Sequence, residues 1–324
     1  CRRVTRPAKK TGGLTCDEGP NRNDESEPFC SPCGYSPTGE AQGWREEDNP
    51  GSESDLLETI LDAGNVSRAW KQVKANHGSP GIDGITVEDF PILFRGYWSK
   101  LKEELMQGTY VPSPVLRVEI DKPDGGKRKL GIPTVLDRLI QQSIAQAIGP
   151  IFDSTFSESS FGFRPRRSAH QAVRQVSHQI QQGLRIAVDL DLSRFFDCVN
   201  HDILMSRVSG KIHDKRVLHL IGKFLRAGVV VEGRLQRTRE GVPQGGPLSP
   251  VLANVVLDDL DKELERRGHR FSRYADDFII LVKSLRAGER VMGSIRRYLE
   301  TKLKLKVLDS TNKCKRLEAL YYCM

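Results

Sequence analysis

An α+β fold, with an antiparallel sheet packed on helices along one side, is what this sequence of 324 residues predicts. Three observations carry the prediction. Long stretches repeat apolar side chains at helical spacing. Two short β-like runs flank the turn Pro123-Asp124-Gly125-Gly126, a hairpin signal with basic residues on its second arm. In residues 186–192, Ile186, Val188, Leu190 and Leu192 form an apolar face, while Ala187, Asp189 and Asp191 point the other way. A sheet packed on one side leaves its second face open to a cleft.

Residues 1–54 precede the first apolar periodicity and are rich in Gly, Pro, Ser, Asn and acidic residues, so they are expected to form a disordered or loosely attached tail. They hold 7 Lys+Arg against 10 Asp+Glu, which leaves 43 against 32 for residues 55–324. A basic body of this kind favours a polyanionic partner, nucleic acid above all. The 7 cysteines are scattered without framework spacing, and no signal peptide precedes them, which points to a reducing compartment. Cys30 and Cys33 form a C-x-x-C with no second ligand pair at zinc spacing. Mean hydropathy is -0.45, and no apolar run approaches the ~18 residues of a membrane span.

From Asp55 onward Leu56, Ile60, Val66, Trp70 and Val73 recur at helical spacing, with Gly64 and Asn65 as the expected break between two helices. The turn-rich GSPGIDG at 78–84 leads to a helix expected around 90–107, and then to the hairpin. Residues 134–152 are apolar nearly all round, which predicts a helix buried on more than one side. A loop bearing Arg164, Arg166 and Arg167 enters a helix capped by Ser168, and the strand at 186–192 follows. The segment GVPQGGPLSP leads into a helix with Ser249 as N-cap and Pro250 at its first position, striped by Leu252, Val256, Leu260 and Leu264 and ended by Gly268. A strand, turn and strand over 271–282 and a helix around 284–304 complete the pattern.

Chemistry concentrates at RFSRYADDFIILV, 270–282. Asp276 and Asp277 fall where the hairpin turn is expected. Local hydrogen bonding alone explains many aspartates in turns. Two further features point beyond it. Asp191 stands on the polar face of its strand, so three carboxylates can converge and would repel unless cations held them. Mg²⁺ takes oxygen ligands and keeps positions for substrate phosphates, which suits a two-metal phosphoryl-transfer site. The loop Pro243-Gln244-Gly245-Gly246 lacks bulky side chains and allows close approach of its backbone to a strand or a sugar-phosphate.

With these residues on the page, the chain resembles the reverse transcriptases encoded by bacterial group II introns. YADD at 274–277, VPQGGPLSP at 242–250, AVDLDLSRFFDCVNHD at 187–202, SFGFRPRRSAHQAV at 160–173, KPDGGKRKLGIPTVLDRLIQQSI at 122–144 and ANHGSPGIDG at 75–84 occur in the family's order. The resemblance spans about 55–307. It implies a right-hand polymerase with an N-terminal extension and fingers over 55–181 and a palm over 182–307 whose antiparallel sheet holds the carboxylates. The family's first catalytic Asp stands five residues before an aromatic, which Asp191 satisfies with Phe196 and Asp189 does not with Arg194.

The resemblance therefore implies Asp191, Asp276 and Asp277 as catalytic metal ligands for two Mg²⁺ ions, with the Leu192 carbonyl in a metal shell. The primer 3′-hydroxyl, acidified by one ion, would attack the α-phosphate of a dNTP while the second stabilises pyrophosphate. Lys129, Arg128, Arg138, Phe196 and Gln244 are implied at the nucleotide, and Lys122 and Lys127 add cations to the fingers. Phe196, as a ring beneath the sugar, would exclude a 2′-hydroxyl; a core Phe beside Phe195 is the alternative. Arg164 and Arg166 are implied at template phosphates, and Pro243, Gly245, Gly246 and Tyr274 along the nucleic acid. His170 and His201 are expected to be structural. The implied partners are an intron RNA template, a DNA primer or target and dNTPs, in the cytoplasm of a bacterial host, with no membrane.

Residues 308–324 depart from the family's pattern after KLKLKV, as an interrupted reading frame would, which implies that the thumb is missing and that polymerisation is weak. Two alternatives remain open. One is an intron RNA-binding maturase without polymerase activity, and the other is an inactive remnant of a mobile element.

Overall fold

The computed structural model describes residues 55–121, 127–308 and 313–317. The tail at 1–54, Lys122, the turn at Pro123–Gly126 and the side chain of Arg128 lie outside the described residues.

Helices α1 (Leu56–Ile60) and α2 (Ala63–Ala75) open the fold. The break between them is not at Gly64 and Asn65. Asp62 caps α2 by accepting from the backbone N–H of both residues, which places them inside its first turn. The helix expected around 90–107 is two, α3 (Phe90–Phe94) and α4 (Trp98–Met106), separated at Gly96. Strands β1 (Val115–Asp121) and β2 (Lys127–Ile132) pair antiparallel from Leu116↔Ile132 to Asp121↔Lys127. Helix α5 (Val135–Asp153), capped by Thr134, buries Leu139, Ile140, Ile144, Ile148 and Phe152 and is enclosed on several sides. Ser168 and Gln171 form a reciprocal capping box at the start of α6 (Ala169–Gln181).

Strand β3 (Ile186–Leu190) is followed by the short helix α7 (Phe195–Cys198), then α8 (His201–Ser209) and α9 (Lys215–Leu225). A small hairpin, β4 (Val229–Val231) and β5 (Arg234–Gln236), does not join the sheet of β3. It extends the first hairpin, through parallel pairing of Val115 and Leu116 with Val229 and Val230, into a sheet of order β2-β1-β4-β5. Helix α10 (Ser249–Arg266) starts one residue earlier than expected, with Leu248 at the N-cap. Ser249 instead donates its hydroxyl to the Pro243 carbonyl at 2.7 Å, tying the helix to the Gly-rich loop.

Strands β6 (Arg270–Tyr274) and β7 (Asp277–Val282) form the expected hairpin, and α11 (Leu285–Tyr298) continues into a π-helical turn over Leu299–Leu303. Strand β8 (Lys313–Arg316) comes from the segment beyond KLKLKV and pairs antiparallel with β3, completing a second sheet of order β6-β7-β3-β8. The apolar face of β3 enters the main core with Leu252, Val256, Leu260 and Leu264 of α10 and Ile295 of α11. Gly288 lets α11 lie directly on Ile186, Val188 and Cys314. Among the described residues no helix is long and apolar enough to cross a membrane.

Candidate active site

Register places the carboxylates. Strand β3 pairs with β7 from Ile186↔Val282 to Leu190↔Phe278, so one further step sets Asp191 opposite Asp277. Directly opposed like charges destabilise a sheet. Alternation puts Asp189 on the same face, while Leu190 and Phe278 between them are buried in the core. The hairpin closes at Tyr274↔Asp277 with Ala275 and Asp276 as its two loop residues, and Ala275 takes a left-handed φ of 59°. Both Asp191 and Asp277 are open to solvent, Asp276 is half-buried, and Tyr274 is exposed. Partial loss of hydration, then the charges of Asp276, Asp191 and Asp189, raise the Asp277 carboxyl above its ordinary range. Asp189 has a local partner, since Lys315 of β8 donates to it at 3.2 Å.

Among the described residues, no three His, Cys, Asp or Glu side chains are gathered into a ready ligand cluster. The donor set nonetheless fits a hard divalent cation. It is all oxygen, it is accessible to solvent, and its mutual repulsion is what a bound cation would relieve. The backbone agrees. Asp191 O accepts from Leu308 N at 3.0 Å and Ser193 N donates to Lys306 O at 2.9 Å, so Leu192 and Val307 form a pair without hydrogen bonds of its own. The Leu192 carbonyl therefore turns to the opposite edge, the side of β7 and its carboxylates.

The loop 243–246 ties β2 of the first sheet to the start of α10. Gly131 N of β2 donates to Gln244 O at 2.6 Å. Gly245, at φ 114°, lies so close that a Cβ there would strike the Gly131 carbonyl. Upstream, Val242 N donates to Phe196 O at 2.6 Å, and buried His201 donates from Nε2 to Gly241 O at 2.7 Å, the structural role expected of it. Phe196 is 8% exposed and its ring meets Phe195 edge-on at 5.2 Å. As placed, the ring belongs to the core.

The basic residues separate into two groups. Lys129 and Arg166 are exposed, and Arg166 adopts a φ of 59° at the loop before α6. Arg164 does not reach outward as expected. Its side chain is 4% exposed, paired with Asp153 at 2.6 Å, and it donates to the carbonyls of Asp153, Ser157 and Ser160. It braces the loop that carries Arg166. Arg138 is buried, donates to Ser79 O at 2.8 Å and packs against Gly78. Arg117 of β1, to which the sequence drew no attention, lies 3.9 Å from Asp197 of α7.

Sequence reasoning also missed what lies beneath the hairpin tip. Arg273 and Asp261, both fully buried, form an ion pair, and Arg273 donates to Asn254, Ser160 and the Ala275 carbonyl. Gly162 lies against the Ala275 backbone nitrogen with no room for a Cβ. A buried Arg one residue before an exposed Tyr breaks the strand's apolar alternation, and that break was the available signal.

Residues 120–320 match the reverse transcriptase (RNA-dependent DNA polymerase) family. The chain is 34% identical over 297 residues to protein YkfC of Escherichia coli K12, covering 79% of this chain and 78% of that one. It is 39% identical over 181 residues to the group II intron-encoded protein LtrA of Lactococcus lactis, covering 56% of this chain and 30% of LtrA. A putative COX1/OXI3 intron 2 protein of Saccharomyces cerevisiae is 33% identical over 215 residues, 65% of this chain and 25% of its own. The chain thus spans about a third or less of these two longer relatives. The fold and these matches agree: the chain belongs to the reverse transcriptase family, and it is similar to the group II intron-encoded protein LtrA.

Proposed function

We propose that the chain is the fingers (55–181) and palm (182–307) of an RNA-directed DNA polymerase that transfers a nucleotide from a dNTP to a primer 3′-hydroxyl on an intron RNA template. The observation that carries the proposal is the register of β3 and β7, whose last pair, Leu190↔Phe278, brings the next residue, Asp191, beside Asp277, with Asp276 in the adjoining turn. These residues, with the Leu192 carbonyl, would hold two Mg²⁺ ions, which acidify the hydroxyl and neutralise the leaving pyrophosphate when bound.

The chain's own residues do the rest. Asp191, Asp276 and Asp277 fix the reacting oxygens relative to one another. Lys129, exposed on β2, would supply positive charge toward the triphosphate, and Gln244 holds the loop against that strand through its carbonyl. Arg166, Tyr274 and the backbone at Pro243, Gly245 and Gly246 would line the path of template and primer. The setting proposed is the cytoplasm of a bacterial host.

The test is incorporation of dNTPs on a primed RNA template by the native chain and by Asp276→Ala/Asp277→Ala, with intron RNA binding measured in parallel. Incorporation that the substitution abolishes supports the polymerase. Retained RNA binding with no incorporation by either protein sinks it and favours a splicing cofactor, which needs the basic surface but no metal site.

A further inference from the structure

The hairpin tip carries a conformational cost. Ala275 sits in the left-handed region, where a side chain other than glycine's is disfavoured unless its surroundings impose it. Three pieces of structure impose it here. Gly162 presses on the Ala275 backbone nitrogen and the Tyr274 carbonyl carbon. Asn254 of α10 donates to Gly162 O at 2.9 Å and holds that loop in place. Arg273 reaches under the turn and donates to Ala275 O at 2.8 Å.

Arg273 is occupied on every side. Its Nε donates to Asp261 at 2.8 Å, Nη1 to Asn254 Oδ1 at 2.9 Å as well as to Ala275, and Nη2 to Ser160 Oγ at 2.7 Å and Asp261 Oδ2 at 2.6 Å. Its backbone N–H donates to Ser159 O and its carbonyl accepts from Phe161 N, each at 2.8 Å. One residue thus joins α10, the 159–162 loop and the turn. Stability alone does not call for an ion pair at this place. Desolvating two charges costs about as much as their attraction returns, and apolar residues of similar volume often serve as well. What they cannot do is hold the Ala275 carbonyl.

We infer that the buried Arg273–Asp261 pair is a positioning device for the metal-binding turn: it locks Ala275 left-handed so that Asp276 and Asp277 project toward Asp191. The inference rests on the reading of Asp276 and Asp277 as metal ligands. Groups that orient ligands from behind typically govern metal affinity by about 10- to 100-fold.

The experiment measures Mn²⁺ affinity of the full chain by electron paramagnetic resonance, beside its melting temperature and its primer extension. The variant is Arg273→Met/Asp261→Leu, which removes both charges together and retains apolar volume. A merely structural pair predicts a folded chain with native Mn²⁺ affinity. A positioning pair predicts a folded chain whose Mn²⁺ affinity falls on the order of tenfold or more, with extension falling alongside. Arg273→Lys, which keeps a cation for Asp261 but loses the Nη1 bond to the Ala275 carbonyl, is the second variant and is expected to weaken Mn²⁺ binding in the same direction. Native affinity in whichever of the two variants folds overturns the inference. Asp276→Ala/Asp277→Ala separates the two claims. If that variant loses Mn²⁺ while Arg273→Met/Asp261→Leu keeps it, only the positioning role fails; if it too binds Mn²⁺ natively, the metal-ligand reading fails and takes this inference with it.

Discussion

Asp137 accepts hydrogen bonds from the Tyr110 hydroxyl at 2.7 Å, the Thr134 hydroxyl at 2.8 Å and Ser113 N at 3.1 Å, closing the start of α5 over the entry to β1. Burial nevertheless dominates and pushes its carboxyl up to about 6. Because the folded value lies above the unfolded one, the carboxyl's contribution to stability is fully present below about pH 4 and is lost as pH rises through about 6. The loss is on the order of 3 kcal/mol, from roughly two pH units at 1.36 kcal/mol each. Urea unfolding of the native chain and Asp137→Asn at pH 4 and pH 7 should show the native advantage shrinking at the higher pH. A constant difference would refute the assignment. Nothing in LDRL around Asp137 announces this, since its partner Tyr110 stands 27 residues earlier. Arg164 teaches the same point from the other direction. Its type and loop predicted a phosphate contact, but whether a guanidinium faces solvent or an Asp153 depends on chain folding that residue type does not encode.

At the scale of elements, local signals placed most of the site. The capping box at Ser168, the alternation in β3 and the turn residues around Asp276 all lie within a few residues of what they specify, and the structure has each where the pattern put it. Helix boundaries moved where a competing cap won, as at Asp62, and where the expected cap, Ser249, gave its hydroxyl to Pro243 instead. Non-local pairing was not legible: nothing within β4 or β5 says that they extend the first hairpin instead of the palm sheet. The loop 243–246 shows both kinds at once, since its glycines were visible and their partner, Gly131, was not. Gly245→Ala would require a β-carbon where the Gly131 carbonyl stands, at a φ that L side chains rarely adopt. Its expected cost is about 1–3 kcal/mol from overpacking and strain. Amide hydrogen exchange should report it locally, through lost protection at Gly131, whose N–H bonds Gln244 O. Unchanged protection there would show that the loop does not depend on this approach.

At the scale of the whole molecule, the excess of Lys and Arg over residues 55–324 has a consequence for nucleic-acid binding that is separable from the carboxylates. Each phosphate neutralised releases condensed counterions, so the logarithm of affinity for a primed RNA template should fall linearly with the logarithm of salt, by about 0.7–0.9 per contact. Removing negative charge at the cleft does not remove cationic contacts. Asp276→Ala/Asp277→Ala should therefore keep the native slope while losing incorporation. Arg166, exposed at the loop that Arg164 braces, should count as one contact: Arg166→Ala is expected to weaken binding to all sequences alike and lower the slope by about one. Arg164→Ala should lower it by the same amount only through Arg166, so the double substitution should not exceed Arg166→Ala in slope, while the melting temperature falls for Arg164→Ala and stays native for Arg166→Ala. Fluorescence anisotropy titrations over 50–200 mM salt, a range chosen because roughly six to ten contacts change affinity about 10³- to 10⁵-fold across it, decide the matter. Additive slopes would mean that Arg164 leaves Asp153 to bind phosphate itself.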